Sequence, residues 1–172
     1  NFDQLRKNDW FLFKQKRNVI ESSDPIYQAI RSDDVDRLQK LIYEKNSESI
    51  NFDQQYDISP FETSWIMRFK PTGMQIAAFF GSVRCFKFFI LQKANPHQKA
   101  GCIGCFGGSS YFSEMPLTYF AIAGGNAEII HITEQLGCDF FSDVLFSSVV
   151  FHRYDVFEWL VSTKQCNYKV KD

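Results

Sequence analysis

Residues 115–140, MPLTYFAIAGGNAEIIHITEQLGCDF, constrain the fold more than any other stretch, because segments on both sides read as worn copies of them. Pro116 suits the first turn of a helix, where its missing N–H would have had no partner. Phe120, Ala121 and Ala123 then make a short apolar helix whose small side chains permit close helix–helix approach. Gly124-Gly125 ends it, since glycine takes positive φ without a side-chain clash. Asn126 can cap a second helix by accepting from a free backbone N–H. Ile129, Ile132 and Leu136 fall at i, i+3 and i+7, one face of that helix, and Gly137 stops it. Such a unit cannot bury its own apolar side, so copies must stack side by side.

The copies are recognisable by their spacing. Ala77-Ala78-Phe79-Phe80-Gly81 followed by SVRCFKFFILQKAN repeats the unit, and Ala77 stands 17 residues before Ala94 as Ala121 stands 17 before Cys138. An earlier copy opens at Asp24-Pro25 and sets Ile26, Ala29, Val35, Leu38, Leu41 and Ile42 in the corresponding places. A later copy, in 144–167, carries DVFEWLV at 155–161. On these residues the chain resembles the ankyrin repeat, whose consensus runs roughly TPLHLAA, then G-N, EVVKLLL and GAD. Residues 125–139 match its second half without a gap, with Thr133 and Glu134 where two leucines are expected. The first half needs one extra residue between Pro116 and Ala121. The AAFFG, AIAGGN and HRYD segments are similar to a divergent branch of that family expanded in some single-celled eukaryotes. The resemblance implies an all-α, ankyrin-type solenoid of about four helix-turn-helix repeats, near 24–46, 72–95, 115–140 and 144–167, with long insertions between them. Residues 1–23, apolar and basic, are expected to form an N-terminal cap over the first repeat, or a partner-binding amphipathic segment.

At 172 residues, 45% hydrophobic and 23% charged, the chain fits an ordinary soluble globular protein. Its 19 Phe are expected to replace Leu at helix seams, as at Phe86, Phe88 and Phe89. No apolar run approaches the ~18 residues of a membrane span, and no signal peptide is recognisable. Five scattered cysteines, three of them (Cys85, Cys138, Cys166) at small apolar repeat positions, point to a reduced protein that is intracellular, cytoplasmic or cytoskeleton-associated. The net charge of −1 is unevenly spread: residues 63–113 carry Arg68, Lys70, Arg84, Lys87, Lys93 and Lys99 with no acid, while 21–62 carry ten acids against four bases. A solenoid turns such blocks into bands, and a basic band on the second repeat would face an acidic protein surface.

Two insertions interrupt the repeats. Residues 43–71 hold Pro60, Phe61, Trp65, Ile66 and Met67, too apolar for a free linker, and are expected to fold back on the stack or present a binding finger. Residues 96–114 are glycine-rich and are expected to form a mobile loop unless something holds them. They contain Cys102-x-x-Cys105, and His97 could add a third ligand; a zinc site wants four, and a redox pair wants a strand–helix context that is missing. No phosphate loop, HExxH, serine elbow or nucleic-acid motif is present. The sequence therefore nominates no catalytic residue, cofactor or metal, no nucleic acid, membrane or small-molecule substrate. It points to a non-enzymatic module that binds a protein through loop tips and the short-helix face. The candidates are Arg31, Phe79, Phe80, Lys87, Tyr111, Phe112, Arg153 and Tyr154, with Phe79-Phe80 foremost as aromatics at a variable surface position. A subunit built permanently into a large intracellular assembly, such as a cytoskeletal one, is the alternative reading.

Overall fold

Several helices begin and end on backbone signals written in the sequence. The computed structural model describes residues 24–45, 51–57, 62, 64–101, 114–141 and 144–164. Among them the chain is mostly helical: α1 (Pro25–Arg31), α2 (Val35–Lys45), α3 (Gly73–Phe80), α4 (Val83–Leu91), α5 (Leu117–Gly124), α6 (Ala127–Gln135), α7 (Val144–Val150) and α8 (Tyr154–Thr163). Asp24 caps α1, accepting from the Ile26 N–H at 2.8 Å, with Pro25 in the first turn. Thr72 and Gln75 form a reciprocal capping box on α3, and Asn126 accepts from the Ile129 N–H at 3.1 Å on α6. Pro116 is the extended residue before α5 (ψ 163°), not a residue of its first turn.

The first helix of every pair stops in the same way. Asp33, Gly81, Gly125 and His152 all take positive φ, at 54°, 71°, 72° and 54°. Lys93 (59°) and Gly137 (74°) do the same after α4 and α6. Four residues before each first-helix turn stand Ala29, Ala77, Ala121 and Ser148, all buried. The four helix pairs are therefore superimposable in turn chemistry, although the distances between them in sequence differ.

The pairs pack in sequence order. α1 lies on α3, α3 on α5, and α5 on α7, while each first helix also packs on its own second helix. Helix α3 is buried along 73–78 and α5 along 117–123, as expected of helices covered on both sides. Gly124 shows how close the approach is: a Cβ there would lie 2.2 Å from the Ala78 carbonyl oxygen and 2.8 Å from that of Phe79. The second helices are linked by one ion pair per step: Asp36–Arg84 (3.4 Å), Lys87–Glu128 (2.6 Å) and Glu134–Lys164. Asp33 adds a cap across the first step, accepting from the N–H groups of Arg84 (3.2 Å) and Cys85 (2.9 Å) at the start of α4. The buried stripe of α6 is Ile129, Ile130 and Thr133, rotated from the expected one, for Ile132 and Leu136 are only half-buried. Thr133 takes a leucine's place because its hydroxyl donates to the Ile129 carbonyl at 2.7 Å and so is satisfied.

The described part of the first insertion folds back against the stack. The Tyr56 N–H donates to the Pro71 carbonyl (2.9 Å), and Asp53 accepts from the Asn95 N–H (2.7 Å) at the end of the α4 turn. A 3₁₀ turn over Trp65–Phe69 buries Ile66, Met67 and Phe69. The ends of the second insertion are clasped by two short antiparallel strands, β1 (Ala100–Gly101) and β2 (Glu114–Met115), with Ala100 opposite Met115. The buried Gln75 amide donates to the Gln98 carbonyl at 2.8 Å and fixes that clasp on α3. The expected cap at 1–23, the Cys102–Cys105 pair and Cys166 lie outside the described residues. No helix among those described is long and apolar enough to cross a membrane.

Candidate interaction surface

A row of rings runs across the stack where the first helices end. Tyr27 on α1 meets Phe80 edge-on (centroids 5.7 Å apart), Phe80 meets Phe79 (5.1 Å), and Phe79 meets Phe151 (5.8 Å). Phe151 stacks on Trp65 of the insertion at 6.1 Å, and Trp65 meets Phe69 at 5.9 Å. Phe79, Phe80, Phe151 and Trp65 are half-buried, so the row has one side against the core and one side toward solvent. Each edge-on pair adds about 0.5–1.5 kcal/mol beyond its area burial.

The row depends on a gap in the third pair. Phe80, Gly124 and Phe151 hold the same position, the residue before the left-handed turn residue. Because the third pair carries Ala123-Gly124 there, no side chain stands between Phe79 of the second pair and Phe151 of the fourth. The absent Cβ that lets α5 press on α3 also lets two rings meet across it. Arg31 lies over the Phe80 ring, its Cζ 5.2 Å from the centroid. At the other end a 3₁₀ turn has three residues per turn, so the exposed Arg68 falls on the same side of the turn as Trp65. The strip is thus aromatic along its length and cationic at both ends.

Of the residues nominated from the sequence, the structure brings Arg31, Phe79 and Phe80 together in this strip. Lys87 lies elsewhere, on α4, with its Nζ 2.6 Å from Glu128. Arg153 and Tyr154 line a separate groove of ≈ 480 Å³ between α6 and α8, with His131, His152, Asp155 and Trp159. There the Arg153 Nε donates to the Ala123 carbonyl at 2.9 Å, closing the C-terminus of α5, and its side chain fills the space a Cβ on Gly125 would need. Tyr111 and Phe112 lie outside the described residues. Sequence reasoning missed Trp65, Arg68 and Phe151 as members of the strip. Phe151 was findable, since it stands in the fourth copy where Phe80 stands in the second; Trp65 belongs to no repeat and carried no positional signal.

The basic block at 63–113 is largely matched within the chain. Lys70 pairs with Asp57 (2.7 Å), Arg84 with Asp36, Lys87 with Glu128, and Lys99 with Glu114 (2.9 Å). Burial, helped by the nearby Asp33 carboxylate, pushes the Cys85 thiol up to about 12, and burial also raises that of Cys138. Both therefore stay protonated at neutral pH and supply no thiolate nucleophile. Among the described residues no three His, Cys, Asp or Glu side chains converge as a metal site would require. The arrangement offers a ridge of rings and guanidinium groups, which suits recognition. No family model matches this sequence, and a search of curated proteins finds no match either.

Proposed function

We propose that this chain is an ankyrin-type, non-enzymatic protein-interaction module that captures a protein segment along the strip Arg31–Phe80–Phe79–Phe151–Trp65–Arg68. The observation that carries the reading is the strip itself: half-buried rings from separate helix pairs, aligned by the stack and flanked by arginines. Large rigid aromatics and arginine are the residue types that dominate binding energy at protein interfaces. Support for the ankyrin-type reading comes from four helix pairs that share one left-handed turn and stack in order. The arginines at both ends favour a partner with an apolar or aromatic centre and carboxylates to either side. Within the basic block Lys70, Arg84, Lys87 and Lys99 already have carboxylates beside them, so the acidic-partner reading rests on Arg68 of that block together with Arg31 of the first pair.

Photo-cross-linking from positions 31 and 68 in native extract, with exposed position 93 as control, tests the reading. The same partner should cross-link from both strip positions and not from 93, and Arg31→Glu with Arg68→Glu should abolish it while leaving the thermal transition in place. A partner captured equally from all three positions would contradict it.

A further inference from the structure

The groove between α6 and α8 stands where an ion pair stands one step earlier. Lys87 on α4 lies six residues after the turn residue Gly81 and pairs with Glu128, which lies three residues after Gly125. Counted in the same way from Gly125 and His152, the corresponding residues at the next step are His131 and Asp155. No ion pair joins them. His131 has its Nδ1 3.6 Å from Glu134 on its own helix, and Glu134 is bridged to Lys164. A groove of ≈ 480 Å³ opens there instead, with His131 and Asp155 both in its lining. Small-molecule sites have volumes of roughly 300–1,000 Å³.

Two opposite charges in this groove lack a partner. The Arg153 Nε donates to the Ala123 carbonyl at 2.9 Å, which anchors the guanidinium group and leaves its two terminal amino groups unbonded among the described residues. Asp155, in the first turn of α8, has no cation or donor at its carboxylate among the described residues. The two side chains are not paired with each other. They start two residues apart on one chain, within the span of one small molecule. Beside them the groove has an apolar wall of buried Ile130 and half-buried Val156 and Trp159.

We infer that this groove is a binding site for a zwitterionic small molecule, a free α-amino acid with a large apolar side chain. Its carboxylate meets the terminal amino groups of Arg153, its ammonium meets Asp155, and its side chain lies along Ile130, Val156 and Trp159. A simple anion would pair with Arg153 but face the carboxylate of Asp155. A simple cation would pair with Asp155 but face the guanidinium of Arg153. A ligand that carries both charges satisfies both. The bond from Nε fixes the plane of the guanidinium before a ligand arrives, so less freedom is lost on binding. The rim residues His152 and Tyr154 are exposed, so the ligand stays partly in water and the Kd is about 1 mM.

Titration of the isotopically labelled whole chain with L-tryptophan, followed by amide NMR shifts, tests this. The resonances of Ile130, Val156 and Trp159 should shift and saturate, while those of Arg31 and Phe80 should stay in place. N-acetyl-L-tryptophan lacks the ammonium and L-tryptophanamide lacks the carboxylate, so each should bind about fivefold or more weakly than L-tryptophan. Arg153→Gln should abolish the preference for L-tryptophan over its amide and keep the preference over the N-acetyl compound. Asp155→Asn should do the reverse. Arg153→Gln also loses the bond to Ala123, so its thermal transition is measured alongside. Asp155 makes no hydrogen bond or ion pair among the described residues, so Asp155→Asn tests the site without disturbing the fold. The absence of any saturable shift at about 10 mM L-tryptophan overturns the inference. So does equal binding of the three compounds, because that result is apolar adsorption on Trp159.

Discussion

At the scale of single residues, steric room outweighs intrinsic preference. Gly124 sits at the end of a helix, where propensity alone makes alanine better by about 1 kcal/mol. A Cβ there would stand 2.2 Å from the Ala78 carbonyl oxygen, and backbone cannot swing aside as a side chain can. Gly124→Ala is therefore expected to cost about 1–3 kcal/mol by overpacking, read as a fall in the urea midpoint; a variant as stable as wild type would mean that α5 does not press on α3. Thiol chemistry gives a second check. Cys85, its thiol held up at about 12, and Cys138 should resist alkylation in the folded chain at pH 8 and react only on unfolding, as read by peptide-resolved mass spectrometry. Fast native labelling of either would contradict the burial. The glycine at 124 was legible as a turn signal, but its role as a contact was not, since a sequence does not say what backbone passes close by.

At the scale of elements, the steps between pairs are held by a few polar contacts laid over apolar packing. Asp33 caps α4 from the preceding pair, where the side chain of Ser82 makes no cap of its own. Asp33→Ala should cost about 1–2 kcal/mol, the usual value of a lost N-cap, while Ser82→Ala should cost much less; equal effects would contradict the assignment. The Glu134–Lys164 pair joins α6 to α8, and the hydrogen bond from Lys164 holds the Glu134 carboxyl below its usual range. A lowered folded value means that the pair stabilises above the ordinary carboxylate range and loses its effect as pH falls through the lowered value. Lys164→Met should thus cost about 0.5 kcal/mol at pH 7, as a partly exposed pair does, and progressively less as pH falls through the lowered value. These elements were largely legible. Asp24-Pro25, Gly81, Asn126 and Gly137 each mark a start or stop that the chain obeys. The rotation of the α6 stripe was not, because Thr133 is polar by type and buried only through its bond to Ile129.

At the scale of the whole molecule, stacking brings together residues that no local pattern connects. Equal turn chemistry in four pairs, at unequal sequence intervals, places Phe79 and Phe151 side by side with the third pair's Gly124 beneath them. The pairs themselves could be read from repeated spacing. The strip could not, because it takes Trp65 from an insertion and skips one repeat. The most direct measurement is a double-mutant cycle on urea unfolding with Phe79→Ala and Phe151→Ala. The stack predicts a coupling energy of about 0.5–1.5 kcal/mol between them. Additivity within about 0.3 kcal/mol would mean that the second and fourth pairs do not meet over the third, and the aromatic strip would not be continuous.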